Sequence, residues 1–456
     1  MQQTINEQES SSDDMINIQI EESLVRETLM SIDSANFTED IFTLLGFGVI
    51  LLIMISIGIF GPPIYDDNYH EFPITKEMAI TTENVLFKNI VPMNRAVSLN
   101  LYMKNSTKNL PGSYPISFNY RVTCYKNQSV IQRTQRIVTT VNATMVPKYD
   151  NSLPLLLFTD LVLNYDSIEV KIDMDHTAEY FNKGIIVFTK GSQSHSAFQV
   201  YFRILLMVLC IVYLLFFLLR LCSMPIKLWH LEQKLTVPLL FLAIFFNNPF
   251  YVVHIGNPSH VYVILDRILC AIFQNYFKFF ILVLFDSLRY KNRKTDSCFF
   301  LPKIVFCVLM FIFTVIHGIY DDIVAFGETP LNGDPLESKL RWTEFGFFLF
   351  YLIWASISVI MSAFQVDLTE RYKFNVYASA GGVTLLLMAV IQVLFRFFKL
   401  FGDSSVNFVM TYAIQNVFAV LMSYFHWPYE VLTDQYYGDS GQPQQDLNQN
   451  LNSPEI

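Results

Sequence analysis

Charge is what this 456-residue sequence has least of: Asp, Glu, Lys and Arg make up 16% of it, against about a quarter in an ordinary soluble domain. With 52% of positions hydrophobic, that scarcity points to a chain with much of its surface in lipid. Basic residues are scarcest near the start. Met1 to Asp40 holds ten acidic residues and one basic residue, Arg26, which equals the whole formal charge of −9 and leaves the remainder neutral in sum. A basic footprint for phosphates is therefore missing, and no nucleic-acid partner is implied. The acidic, Ser/Asn/Gln-rich head cannot bury a core and is expected to be disordered. No positively charged segment precedes the first apolar run, so Ile41 to Phe60 reads as a retained signal anchor and not a cleaved signal peptide.

Cysteine is sparse where a disulfide framework would need it. Of six cysteines, only Cys124 lies between the first apolar run and the rest, which excludes such a framework there. Cys210, Cys222, Cys270, Cys298 and Cys307 sit in or beside apolar stretches without CxxC spacing and read as packing residues.

What the sequence has in plenty is long apolar runs. A helix needs about 20 mainly apolar residues to cross the hydrocarbon core, and eight windows meet that length. They are Ile41 to Phe60, Phe198 to Leu221, Leu235 to Val253, Val261 to Leu284, Phe300 to Tyr320, Phe345 to Ala363, Phe374 to Phe397 and Val406 to Trp427. Lys and Arg concentrate in short cytosolic loops. Arg289, Lys291, Arg293 and Lys294 after the fourth window, and Lys227 and Lys234 after the second, make those connections cytosolic. His254 to His260 lacks Lys and Arg, and Asp321 to Arg341 is acidic, which suits the opposite side. Both tails are then cytosolic, and Gly61 to Ala197 is luminal or extracellular. Sequons at Asn105, Asn127 and Asn142 fall in that one segment and agree with glycosylation there.

The same segment alternates with period two: Val97, Leu99, Leu101, Met103; Phe118, Tyr120, Val122, Cys124; Ile168, Val170, Ile172, Met174. Alternation of this kind buries one face of each strand, so a compact antiparallel β-sandwich is expected. Asp434 to Ile456 is polar and reads as a flexible cytosolic tail.

Four short stretches carry a resemblance: LEQK at Leu231 to Lys234, NNPFY at Asn247 to Tyr251, Phe273 with Gln274, and FLPK at Phe300 to Lys303. In order and spacing they resemble the Wntless-like seven-helix family, in particular its transmembrane protein 181 group. The resemblance implies a membrane α-helical fold, with one signal-anchor helix and a seven-helix bundle similar to G-protein-coupled receptors, plus a luminal all-β sandwich of Golgi-dynamics (GOLD) type. The implied layout is a disordered acidic tail over 1–40, the anchor over 41–60, the sandwich over 61–197, the bundle over 198–427 and a polar tail over 428–456. It further implies a non-enzymatic receptor or cargo-trafficking role in the Golgi, endosomes and plasma membrane, with a luminal protein partner and room for a lipid in the bundle. The cysteine-poor luminal segment departs from Wntless, and no Wnt-type cargo is carried over.

Intramembrane polar residues are the candidates for function, since each charge near the bilayer centre costs roughly 2.5 to 3.5 kcal/mol on insertion scales unless solvated or paired. Arg267, Gln274 and Lys278 are spaced i, i+7 and i+11, which puts them on one stripe of a helix. Asp266 and Asn275 flank it. The stripe is expected to face a cavity or polar partners inside the bundle, with Gln392, Gln415 and Asn416 lining the other side. Asn247, Asn248 and Pro249 are expected to break the preceding helix and line the same cavity, because proline removes a backbone bond.

Three other readings compete. The polar stripe also suits an ion or small-molecule pathway. His317 and Asp321 at i, i+4, with His254 and His260 near the same side, are compatible with a zinc hydrolase, although no nucleophile or base accompanies them and neither a catalytic residue nor a cofactor is assigned. Asp286 to Tyr290 faintly resembles the acidic-Arg-Tyr switch of rhodopsin-like receptors, but two residues intervene and the last helix lacks NPxxY. Tyr429 to Leu432 matches a coat-adaptor sorting pattern yet begins beside the membrane.

Overall fold

The computed structural model describes residues 29–34, 37–74, 80–104, 112–145, 151–175, 181–289, 297–326, 335–368, 370–397 and 405–429. Eight strands follow the first long helix: β2 (Tyr65–Pro73), β3 (Ile80–Phe87), β4 (Val97–Lys104), β5 (Ser113–Lys126), β6 (Ser129–Thr144), β7 (Leu155–Asp160), β8 (Ser167–Asp175) and β9 (Lys183–Gly191). They form two antiparallel four-stranded sheets, in the orders β2-β9-β4-β7 and β3-β8-β5-β6. The period-two residues explain the pairing: in β4 buried and half-buried positions strictly alternate, and Phe118, Tyr120 and Val122 face Met174, Ile172 and Val170 across the β5–β8 ladder. All three alternating runs point into one core shared by the two sheets. Phe87 stacks on Phe188 at 4.7 Å and links the layers.

Asn127 and Gln128 turn the β5–β6 hairpin with φ of 49° and 66°, the left-handed pair that a tight hairpin requires. The sequons at Asn127 and Asn142 are exposed on the sandwich; Asn105 lies outside the described residues.

Among the described residues, eight helices are long and apolar enough to cross a membrane. They are α2 (Phe37–Ile59), α3 (Gln193–Leu221), α4 (Leu231–Phe246) continued by α5 (Tyr251–Gly256), α6 (His260–Ser287), α7 (Ser297–Phe326), α8 (Pro335–Gln365), α9 (Arg371–Val390) and α10 (Ser405–Phe425). The apolar stretches of α6 and α10 are 67% and 83% buried, against 17% for α2. Hence α6 and α10 are the centre of the bundle, while α2 leans on α10 from outside. Glycine permits that contact: a Cβ at Gly61 would sit 2.6 Å from the Ser405 side chain, and one at Gly58 would sit 3.0 Å from Val406 Cα.

The sandwich joins the bundle almost without linker. β9 ends at Gly191 and α3 begins at Gln193, and the Ser192 amide donates to Ile64 O at 2.7 Å, pinning the two chain crossings together. α3 therefore begins five residues earlier than the apolar window from Phe198, which adds His195 to the helix. The window beginning at Ile41 likewise extends back to Phe37.

At the end of the bundle far from the sandwich, residues 29–34, within the head expected to be disordered, are folded against residues 428 and 429, while 1–28 and 430–456 lie outside the described residues. β1 (Leu29–Met30) pairs antiparallel with β10 (Pro428–Tyr429), and the single turn α1 (Ser31–Ser34) follows. Met30 and Ile32 are buried, at 0% and 1% exposure, and Asp33 pairs with Lys373. Residues 29–34 dock through these two apolar side chains and that ion pair. Nearby, His426 is enclosed with both ring nitrogens bonded, Nδ1 to Thr236 at 2.6 Å and Nε2 to Tyr377 at 2.9 Å. Gln233, from the LEQK stretch, donates to His426 O at 3.2 Å. Asp286 is held by Lys303 at 2.9 Å and Arg289 at 3.4 Å.

Candidate functional site

The α4–α5 break is the local structure from which the site is built. Proline at 249 has no N–H to continue the helix, and Asn248 takes a left-handed φ of 50°, a conformation asparagine tolerates. Asn247 turns inward. Its amide donates to Ala243 O and to Asn416 Oδ1, each at 2.8 Å, and Asn416 donates back at 3.2 Å. Asn248 accepts from the Phe250 amide at 3.0 Å and donates to Asp266 Oδ1 at 2.8 Å. The break thus anchors α10 with one asparagine and aims the other at α6.

Asp266 is the hinge of a buried ion pair. Arg203 of α3, only 5% exposed, donates to it through Nη1 at 2.8 Å and more weakly through Nη2 at 3.5 Å. The guanidinium lies 4.2 Å from the Tyr251 ring centre and 4.5 Å from that of Tyr412. Aromatic faces attract a cation electrostatically, so the charge removed from water is compensated on several sides.

The sandwich contributes a finger to the same place. A short 3-10 turn, Pro92–Asn94, delivers Arg95 with φ 61°, and its guanidinium lies 4.5 Å from the Tyr251 ring centre. Arg95 Nη1 donates to Gln199 Oε1 at 2.6 Å, and the Tyr251 hydroxyl donates to the same oxygen. Gln199 Nε2 then donates to His195 Nε2 at 2.7 Å. That assigns the His195 proton to Nδ1, which donates to Ser405 Oγ at 2.9 Å, and Ser405 donates to Pro62 O at 2.5 Å. One hydrogen-bonded line runs from the sandwich turn through α3 and α10 to Pro62, just after α2.

These residues wall a cavity of about 1020 Å³ at the seam between sandwich and bundle. On its other side Glu344 receives His317 Nδ1 at 2.6 Å and Thr314 Oγ1 at 3.4 Å. Among the described residues lining it, four arginines (95, 203, 267 and 341) face two carboxylates, Asp266 and Glu344. Leu161 reaches the wall from the sandwich. Next to it, burial holds the Asp160 carboxyl above the usual carboxylate range, opposed by donation from the Val162 amide at 2.9 Å and the Tyr165 hydroxyl at 3.1 Å.

The residues singled out from sequence divide in two. Asp266, Arg267, Gln274, Asn248 and Gln392 lie on the cavity wall, Gln392 on the π-helical turn Ile391–Phe397 that follows α9. Lys278, Gln415, Asn247 and Pro249 are not on it. Lys278 is one turn below Gln274 and 6% exposed, beyond the depth the cavity reaches, and the helical stripe outlasts the space it was expected to line. Gln415 is enclosed within the bundle, and Asn247 is spent on Asn416. His254 is on the wall with its ring tilted against Tyr262, 6.0 Å between centres, His317 is bound by Glu344, and the Asp321 side chain lies outside the described residues. Among the described residues no group of three or more His, Cys, Asp or Glu is placed to hold a metal.

Arg203, Arg95, Gln199 and Tyr251 escaped the sequence reading. A signal existed for Arg203: it is a charge inside the apolar window from Phe198 to Leu221, which has to find a partner or an interface. None existed for Arg95, which belongs to a turn of another domain.

The family model for the Wntless-like transmembrane domain matches residues 192–430. Transmembrane protein 181 of Homo sapiens is similar at 21% identity over 205 residues, covering 45% of this chain and 42% of that protein. The chain thus spans less than half the length of the curated relative it matches.

Proposed function

The chain belongs to the Wntless-like transmembrane family, and from that premise we propose that it is a non-enzymatic receptor or cargo carrier of the Golgi, endosomes and plasma membrane. The sandwich and the seam cavity face the lumen, and both tails lie in the cytosol. One observation carries this reading: the cavity is walled jointly by a sandwich turn and by bundle helices, so a ligand held there touches both domains at once. A protein partner on the sandwich then has a direct route to the membrane bundle through Arg95, Gln199 and His195. The donor-rich wall suits a polar headgroup or a peptide loop; an acyl chain would have to lie toward the apolar bundle interior.

The orientation is supported by exposed sequons at Asn127 and Asn142 on the sandwich and by Arg289 and Lys303 at the far end. Endoglycosidase treatment of the full-length protein should increase its gel mobility, and the Asn127→Gln and Asn142→Gln variants should each remove part of that shift. Quantitative comparison of surface and secreted proteins with and without the chain then reads the carrier role. Retention in the endoplasmic reticulum with no change in any surface or secreted protein would end the proposal.

A further inference from the structure

Three residues that line the seam cavity each carry an enclosed nitrogen with no hydrogen-bond partner among the described residues: Nε of Arg95, Nε of Arg203 and Nδ1 of His254. The two guanidinium nitrogens can only donate, and the imidazole nitrogen donates in one neutral tautomer and in the cation. Folded proteins rarely leave such groups unmet, and each exception calls for an explanation. Arg203 and His254 are themselves 5% and 6% exposed, so bulk water is not their solvent.

Charge sharpens the point. Asp266 is occupied by Arg203 and Asn248. Arg95 donates to the neutral amide of Gln199 and makes no ion pair among the described residues. Its backbone is in the left-handed region, a strained state for a non-glycine residue that persists where the surroundings over-determine it. The surroundings here do so. Asn94 is fully buried, donates to Gly191 O at 2.7 Å and accepts from the Val91 amide at 2.9 Å. Any side chain at Gly191 would place its Cβ 2.0 Å from Asn94 O. The turn is built to present Arg95 to the cavity in one position.

From this geometry we infer that the seam holds a phosphate group, bound by Arg95 from the sandwich and by His254 and Arg203 from the bundle. A phosphate monoester has three acceptor oxygens and close to two negative charges, which matches the three orphan donors, two of them on arginines. The group belongs either to a lipid headgroup that ends in a phosphate monoester, as in phosphatidic acid, or to a soluble phosphate. The inference rests on the ligand-site reading above and names the chemistry of the ligand. Because Arg95 comes from one domain and the other two residues from the second, occupancy couples the sandwich to the bundle.

The test uses the full-length protein in phosphatidylcholine nanodiscs, with its unfolding midpoint read at constant ionic strength. Inorganic phosphate is titrated into one sample, and phosphatidic acid is included in the nanodiscs of another. A saturable rise with inorganic phosphate identifies a soluble source; a rise with phosphatidic acid alone identifies a headgroup. Either supports the site provided that Arg95→Gln and His254→Phe each weaken the response roughly tenfold or more, as expected for one lost charge-assisted hydrogen bond. Should Arg95→Gln fail to fold, His254→Phe carries the test. No stabilisation by either probe, or an unchanged response in the folded variants, overturns the inference. Purified protein reports nothing about trafficking, so intact phosphate binding with no effect on surface or secreted proteins would sink the carrier reading alone. Absent phosphate binding with that effect intact would sink this one alone.

Discussion

At the far end of the bundle His426 is wholly buried with both ring nitrogens bonded, to Thr236 and Tyr377. At the sandwich end His254 is 6% exposed, and its Nδ1 has no partner. The same contrast extends to their surroundings. Around His426 the polar groups close on one another, and the chain's own head covers them with Met30 and Ile32. Around His254 they surround an open volume, and guanidinium nitrogens are left over. A fully satisfied buried network adds rigidity, whereas a partly satisfied one is costly until something completes it. The far end therefore reads as structure and the sandwich end as a site.

The largest effect should come from the one strong pair at the open end. Asp266→Ala would strand Arg203 without its counter-charge and is expected to cost about 3–5 kcal/mol, read by unfolding of the detergent-solubilised protein. Replacing both partners together, Arg203→Met with Asp266→Leu, should recover most of that loss, since the penalty lies in the unmatched charge. At the closed end, His426→Ala should cost about 1–3 kcal/mol by removing a hydrogen-bond partner from each of two buried hydroxyls. His254→Ala should cost less than half as much, because its ring makes no hydrogen bond to the described residues. Equal losses at the two histidines would erase the contrast between the ends.

A smaller and local effect is expected at Met30. A charge there, Met30→Asp, should release the β1–β10 pairing and abolish exchange protection of the Ser31 amide, which now donates to Trp427 O at 2.8 Å. The global midpoint should move by less than about 1 kcal/mol, as for other locally opening segments. The smallest effect is a pH slope from Asp160. Its folded carboxyl sits above the ordinary range because of burial, so the folded state binds that proton more tightly than the unfolded one. Its contribution is then fully present below the ordinary carboxylate range and is lost as pH rises through the raised folded value. Asp160→Asn should flatten that part of the stability profile without lowering stability at neutral pH.

The eight spans were legible because twenty apolar residues in a row have few alternatives to crossing a bilayer, and the three alternating runs of the sandwich were legible because one-sided burial imposes period two. The break at Asn247 to Pro249 was legible from proline's missing donor. Element ends were not. His195 and Gln199 look like linker residues until β9 is seen to run into α3 with one residue between, and the polar head conceals the two side chains that dock it.

Sequence alone determined that Asp266, Arg267, Gln274 and Lys278 share a helix and need company inside the membrane. Tertiary structure decided which company. Asp266 pairs with Arg203 from a helix 63 residues away, and Arg95 comes from the sandwich; the cavity stops above Lys278. Periodicity and hydropathy are local properties of the chain, and they report where a side chain must avoid lipid. Partners brought together across two domains depend on how the helices and the sandwich turn meet, which no local pattern encodes.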